Sequence, residues 1–163
     1  MSSFTVFGFF GLAGAEHIAT TRPTGKDVWH CLYTTSLQCS SGIQIPAKIH
    51  IYSPFNDVIH PDHTIAFIIA KAFCPPNEIA LLDAYHIFPV PGNPGDEDYK
   101  LLAPDCPHAF VTGIGTVSGR AEVLADGATK VFSVIVNEYV RDSVRTSTVQ
   151  YEVSFLWLHW HVL

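Results

Sequence analysis

The sequence is short of charge. Only 15% of its 163 residues are Asp, Glu, Lys or Arg, against about 25% in an average soluble domain. A coiled coil needs charge-rich heptads and is excluded. Disorder of the bulk of the chain is excluded too, because 48% of the residues are hydrophobic and can offset chain entropy. With one Met but eleven Gly and eleven Pro, the composition favours many short strands and turns over helices.

Catalytic signatures are also lacking. The sequence contains no G-x-S-x-G, no Walker sequence, no H-E-x-x-H, and no G-x-G-x-x-G after a predicted strand. Glycines occur in GIGTVSG, residues 113–119, but nothing marks a phosphate-binding loop before a helix, so this segment indicates a bent strand. The acidic residues 96–98 are typical of a solvated linker. We therefore predict that the protein is not an enzyme.

Metal-ligand spacing is lacking as well. The four cysteines form no CxxC pair and match no zinc-finger template; they are Cys31, Cys39, Cys74 and Cys106. His60 lies close to His63, and His159 close to His161, but no Cys or carboxylate at diagnostic spacing completes either set. We therefore predict no metal and no cofactor, and reduced, mostly buried thiols of the kind found in intracellular proteins.

Targeting signals and membrane spans are missing too. Residues 4–15 are apolar, but no Lys or Arg precedes Arg22, so this segment indicates a buried strand rather than a signal peptide. The apolar segment 153–163 is shorter than the about 20 residues that span a bilayer. We expect an intracellular protein, nuclear or cytoplasmic, with no membrane partner.

Positive charge is scarce. Nine Lys and Arg stand against fifteen Asp and Glu, which gives a net charge of −6 with neutral His. Such a chain has no general attraction for nucleic acid or acidic membranes, so any polyanion must bind to a local basic patch. The nine histidines make the charge less negative near a pH of about 6.

Short segments typical of strands are abundant. Residues 43–52 alternate Ile or Ala with other types, and this period-two pattern predicts a strand with one buried face. Asp126-Gly127 between two β-rich runs predicts a hairpin. Residues 64–73 are apolar on both faces and indicate a buried strand or a short helix, whereas the polar residues 15–27 are predicted to form a hairpin loop.

The segment 110–156 resembles the first three strands of a single-stranded-DNA-binding OB fold. It shares an opening strand with a small-residue bend, a Gly-marked turn, an apolar alternating strand, a charged tip and a Thr-rich return strand. From FGFFGLAGA through FPVPGNPGDEDY to NEYVRDSVRTSTV, the chain resembles an uncharacterised family from mushroom-forming fungi whose members carry two OB-like units. Family members continue with further strands where this chain has VSFLWLHWHVL.

The strand pattern and the resemblance together predict an all-β fold. We expect an OB-like Greek-key barrel at residues 1–92 and an acidic Pro- and Gly-containing linker at 93–108. An incomplete second OB-like antiparallel sheet is expected at 109–163.

The resemblance implies a single-stranded nucleic-acid ligand, DNA or RNA. OB folds stack bases on aromatic side chains inside a cationic groove. The residues of this sequence that could supply such contacts are Arg22, Lys26, Trp29, Tyr33, Lys48 and Tyr52 in the first unit, and Arg120, Tyr139, Arg141 and Arg145 in the second. In the competing interpretation, Trp29 and Tyr33 belong to the core, while Arg141 and Arg145 only solvate a hairpin tip.

A second class of function is a protein-interaction or assembly module. Three strands leave unpaired edges that invite strand addition from another chain. The apolar residues 153–163 would supply a surface for a second copy or for a protein partner. A truncated or misread reading frame is the other explanation of this apolar end. The leading interpretation is a non-catalytic OB-fold module that binds single strands weakly.

Overall fold

A computed structural model describes residues 2–22, 24–39, 42–106 and 108–154 of the chain. These residues form ten strands and a short 3₁₀ helix, Tyr99–Leu102, and this confirms the predicted all-β class. The strands are β1 (Ser3–Gly11), β2 (Ala13–Thr21), β3 (Asp27–Gln38), β4 (Gln44–Tyr52), β5 (Ile65–Phe73), β6 (Ala80–Pro89), β7 (Phe110–Ile114), β8 (Thr116–Val123), β9 (Thr129–Val140) and β10 (Ser143–Ser154).

Alternation of side chains accounts for the central strands. In β4, Ala47 and Ile49 are buried while Lys48 between them is exposed, as the period-two pattern predicts. Strand β5 buries its even-numbered residues, Ile68 among them, and half-buries its odd-numbered ones. It pairs with β1 on one side and β6 on the other, so the helical alternative for residues 64–73 is wrong.

The first sheet has the strand order β2-β3-β4-β6-β5-β1-β7, and only its β4–β6 pair is parallel. Strands β1 and β2 are consecutive, joined by the buried Leu12, yet they occupy distant places in this order. The sheet therefore coils, as in an OB-like fold. Within the described residues it is not closed into the expected barrel, because β2 and β7 remain as its edges. The predicted hairpin loop at 15–27 is also wrong in extent, since β2 occupies most of it.

The second sheet has the order β10-β9-β8 and shares a hydrophobic core with the first. Val134 and Val136 of β9 belong to the same buried cluster as Phe4 and Ile68. Strand β7, which was expected in the second unit, pairs instead with β1. Only Gly115 separates β7 from β8, and a Cβ there would lie 2.4 Å from a backbone oxygen of β9. A glycine is thus required where the chain passes from one sheet to the other.

Other loops are held by specific contacts. Asp126 accepts hydrogen bonds from the N–H groups of Ala128 and Thr129, which stabilises the predicted β8–β9 turn. In the expected linker, Tyr99 is buried and its hydroxyl donates to the Val90 carbonyl at 3.0 Å.

The four cysteines are free. Within the described residues, no helix is long and apolar enough to cross a membrane.

Candidate nucleic-acid interface

The outward face of β4 carries three polar or aromatic side chains in a row. Lys48, His50 and Tyr52 alternate with the buried residues of the same strand, and we call this row the β4 strip. Tyr52 is 63% exposed. At about 3.4 Å per residue, the strip is roughly 14 Å long. The His30 ring of β3 stacks on His50 with centroids 4.3 Å apart, and His30 also meets Tyr52 edge-on. The strip therefore offers a line of rings with a cation at one end.

The turn between β9 and β10 docks on this face. Arg141 lies at the turn with a positive φ of 66°, and its backbone N–H donates to Asp83 Oδ2. Its Nη1 lies 3.3 Å from Asp83 Oδ1, and its Nη2 donates to the Lys48 carbonyl at 3.2 Å. One side chain of the second sheet thus joins β4 and β6 of the first.

A groove of about 450 Å³ lies beside this contact. Lys48, Leu81 and Phe73 lie opposite one another on β4, β6 and β5 and form its floor. The Arg145 guanidinium of β10 is 5.3 Å from the centre of the Phe73 ring. The lining residues are Lys48, Phe73, Pro75, Glu78, Ile79, Leu81 and Arg145. The groove therefore combines the apolar floor residues Leu81 and Phe73 with one cation from each sheet and the Glu78 carboxylate.

Asp83 is the carboxylate at the centre of the basic groups on this face. Its Oδ1 lies 3.4 Å from His50 Nδ1 as well as near Arg141. Burial raises the pKa of Asp83, while the Arg141 N–H and the nearby Lys71, His30 and Arg145 act in the opposite direction. Burial, with a smaller contribution from Arg145, lowers the pKa of Arg141 to about 10, so its guanidinium stays charged at neutral pH.

Trp29 and Tyr33 lie on the opposite face of β3 from His30. Tyr33 is 3% exposed, and its hydroxyl accepts a hydrogen bond from the His60 N–H at 3.1 Å. Burial raises the pKa of Tyr33 far above its ordinary value. The half-buried Trp29 packs against Phe55, with ring centroids 4.8 Å apart. Tyr33 is therefore a core residue and not an accessible stacking platform, which corrects the prediction for that side chain.

The remaining predicted contacts are exposed, and of these Arg22 is close enough to His30 to act on its charge. Arg22 and Lys26 lie in the β2–β3 turn, where the Arg22 N–H donates to the Lys26 carbonyl. Tyr139 is 53% exposed on β9. Arg120 lies at a register shift of β8 opposite the β9 region around residue 132, about 30 Å along the strand from Arg141. The structure therefore brings together Lys48, Arg141 and Arg145, places Tyr52 at the other end of the β4 strip, and leaves Arg120 apart from them.

Sequence reasoning missed His30, His50, Phe73, Leu81 and Asp83. The two histidines could have been found, because the alternation of each strand places them on the face opposite its buried residues. Asp83 had none, because its position depends on the parallel register of β4 and β6. In the described part of the chain, no group of three His, Cys, Asp or Glu side chains could hold a metal ion. The candidate pair His159 and His161 lies outside the described residues.

Comparisons with known proteins find a distant structural likeness among solved structures. No protein-family model and no curated protein matches the chain. Among solved structures, a deletion mutant of the single-stranded DNA binding protein from Thermus aquaticus is similar with a TM-score of 0.46 and 14% identity. The alignment covers 93% of this chain and 76% of that one. A likeness at this level carries no functional argument, and the resemblance to the fungal family stays a prediction.

Proposed function

We propose that the protein is a non-catalytic OB-fold module that binds single-stranded nucleic acid weakly along the β4 strip and the adjoining groove. The observation that supports this most is the joining of Lys48 from the first sheet and Arg145 from the second around an apolar floor. We also propose an intracellular location, because the four cysteines are free.

The surface has the two elements that single-strand binding uses. The exposed Tyr52 ring and the stacked His30 and His50 rings offer planar surfaces, and one stacked base contributes about 1–3 kcal/mol. Lys48 and Arg145 supply positive charge for phosphates. Binding is expected to be weak, since the net charge is −6 and Asp83 lies among the cations.

The test is a titration of a fluorescent oligo-dT with the full chain at about 50 and at about 200 mM salt. Binding through phosphate contacts should weaken steeply between these two salt concentrations. The double variant Lys48→Met and Arg145→Met should make the slope of log K against log salt less negative by about 1.4, at about 0.7 per phosphate contact. Arg120→Met is the matched control, because this cation lies on β8 away from the groove. Absence of binding at the lower salt concentration would overturn the proposal.

The second candidate function is assembly through the end of the chain. Strand β10 is twelve residues long and pairs with β9 without a register shift. Along its other edge it has no strand partner among the described residues. Such an edge favours strand addition. The proposed interface at 153–163 lies largely outside the described residues.

Sedimentation of the full chain and of a chain ending at Glu152 tests the assembly function. Self-association lost on deletion supports assembly, and a monomer in both contradicts homo-oligomers.

A further inference from the structure

Arg141 and Asp83 make a contact that leaves polar atoms unsatisfied. Asp83 Oδ1 and Arg141 Nη1 are 3.3 Å apart, but neither atom has a hydrogen bond of good geometry within the described residues. The nearby His30 Nδ1 is also buried and has no hydrogen bond within the described residues. Buried polar atoms rarely lack a hydrogen-bond partner. A partner that offers the guanidinium better geometry could therefore replace the carboxylate.

Basic groups surround Asp83 on several elements. Arg141 and His50 are in contact with it, and Lys71, His30 and Arg145 are close enough to act on its charge. Lys71 has a second acidic neighbour, Glu138 of β9, at 3.5 Å. Asp83 is thus the carboxylate that occupies Arg141 and offsets much of the positive charge beside the β4 strip.

We propose that Asp83 is an internal competitor of the nucleic-acid phosphate, which lowers the affinity of the proposed site by occupying the Arg141 guanidinium. This inference rests on the proposed function. Phosphate binds a guanidinium through two parallel hydrogen bonds, a geometry that the Asp83 contact does not reach. The Arg141 Nη2 already bonds to the Lys48 carbonyl, so the guanidinium lies at the end of the strip where a bound strand would pass.

Asp83→Asn removes the negative charge of residue 83 but keeps its hydrogen bond to the turn. The Asn amide oxygen still accepts the Arg141 backbone N–H, so the turn keeps its anchor on β6. The negative charge is lost, and the guanidinium, whose Nη1 is buried beside residue 83, is then free to turn out towards phosphate. We expect oligo-dT to bind roughly three- to tenfold more tightly at about 50 mM salt, with a salt slope steeper by about 0.7 for one added phosphate contact.

Glu122→Gln is the matched control for net charge. It removes the same charge from the exposed face of β8, opposite Val131 and ten residues along β9 from Arg141. We expect it to change affinity less than about twofold, because surface charges beyond a Debye length are largely screened. A gain as large as that of Asp83→Asn would show that net charge alone is responsible, and it would overturn the inference.

Arg141→Met identifies the group that Asp83 occupies. Arg141→Met in the parent chain is the reference, because the substitution removes the Nη2 bond to the Lys48 carbonyl in both backgrounds. In the Asp83→Asn background the same substitution should remove the gain and the added salt slope. A gain that survives in the double variant would contradict the assignment to Arg141.

Circular dichroism and thermal melting establish that each variant is folded. Asp83→Ser, which keeps a hydroxyl acceptor, serves as the second neutral variant if Asp83→Asn does not fold. Binding by the parent chain without a gain in either neutral variant overturns the inference and leaves the proposed function standing. Binding by neither the parent chain nor a folded neutral variant overturns both. Binding seen only after the carboxylate is removed supports the inference that Asp83 blocks the site, and it overturns the proposed binding by the parent chain.

Discussion

The two faces of β3 and β4 differ in what their side chains touch. On the inward face, Cys31, Tyr33 and Ile49 are at most 3% exposed and belong to the common core. On the outward face, the His30 and Tyr52 rings meet edge-on, and the turn between β9 and β10 bonds to the Lys48 carbonyl. The same two strands therefore supply stability on one side and surface chemistry on the other, and substitutions on the two faces should separate these properties.

The largest effect is expected on the inward face. Ile49→Ala removes a side chain with no exposed surface and should lower the free energy of unfolding by about 2–5 kcal/mol through lost burial and a cavity. Lys48→Ala, one residue away on the outward face, should change it by no more than about 0.5 kcal/mol. Urea denaturation measures both. Equal costs would show that the two faces are not distinct.

A smaller effect is expected on binding. Tyr52→Ala should weaken oligo-dT binding by about 1–3 kcal/mol with the fold intact, while Tyr52→Phe should retain most of the affinity because it keeps the ring. Trp29→Ala should act mainly on stability, since its ring packs against Phe55 and His17. Titration and thermal melting of the same variants check this. A folded Trp29→Ala variant that loses binding would place the nucleic acid on the other face.

The smallest effect concerns the pH dependence of stability. Burial lowers the pKa of His30, with smaller contributions from Arg141 and Arg22, while a backbone hydrogen bond at Val28 and the Asp83 carboxylate act in the opposite direction. The unfolded chain then binds more protons than the folded one as the pH falls through the ordinary histidine pKa of about 6.5. His30 thus contributes a loss of stability towards acid pH. His30→Gln should reduce the slope of stability against pH in this window.

The matched control for this slope is His86→Gln, because His86 is exposed on β6. Denaturation midpoints at several pH values between about 5 and 8 give the slope for each variant, and this is the range in which histidines change charge. An unchanged slope in His30→Gln would contradict the assignment.

Alternation in the sequence predicts the elements better than it predicts their neighbours. Residues 43–52 show which side chains of β4 share a face, and Lys48 and Tyr52 are found on the candidate surface accordingly. The same pattern contains no information on which strand lies beside β4. Asp83 reaches His50 through a parallel pairing between strands that are distant in sequence. For that reason the charged centre of the surface could not be predicted.

The failure at Tyr33 has a different cause. The alternation of a strand does not by itself say which of its two faces is inward. Both faces of this strand carry rings, with Trp29 and Tyr33 on one and His30 on the other. Aromatic residues fit a core as well as a binding surface. The side that packs inward is decided by the rest of the sheet, and the local sequence leaves it open.

The passage of the chain through Gly115 bears on how the molecule unfolds. One continuous backbone supplies β7 to the first sheet and β8 to the second, and the two sheets also share buried side chains of β9. Because a single residue joins β7 and β8, unfolding of one of these strands should disrupt the other. The two sheets should therefore lose their amide protection together, as one cooperative unit, although each has its own hydrogen-bond ladder.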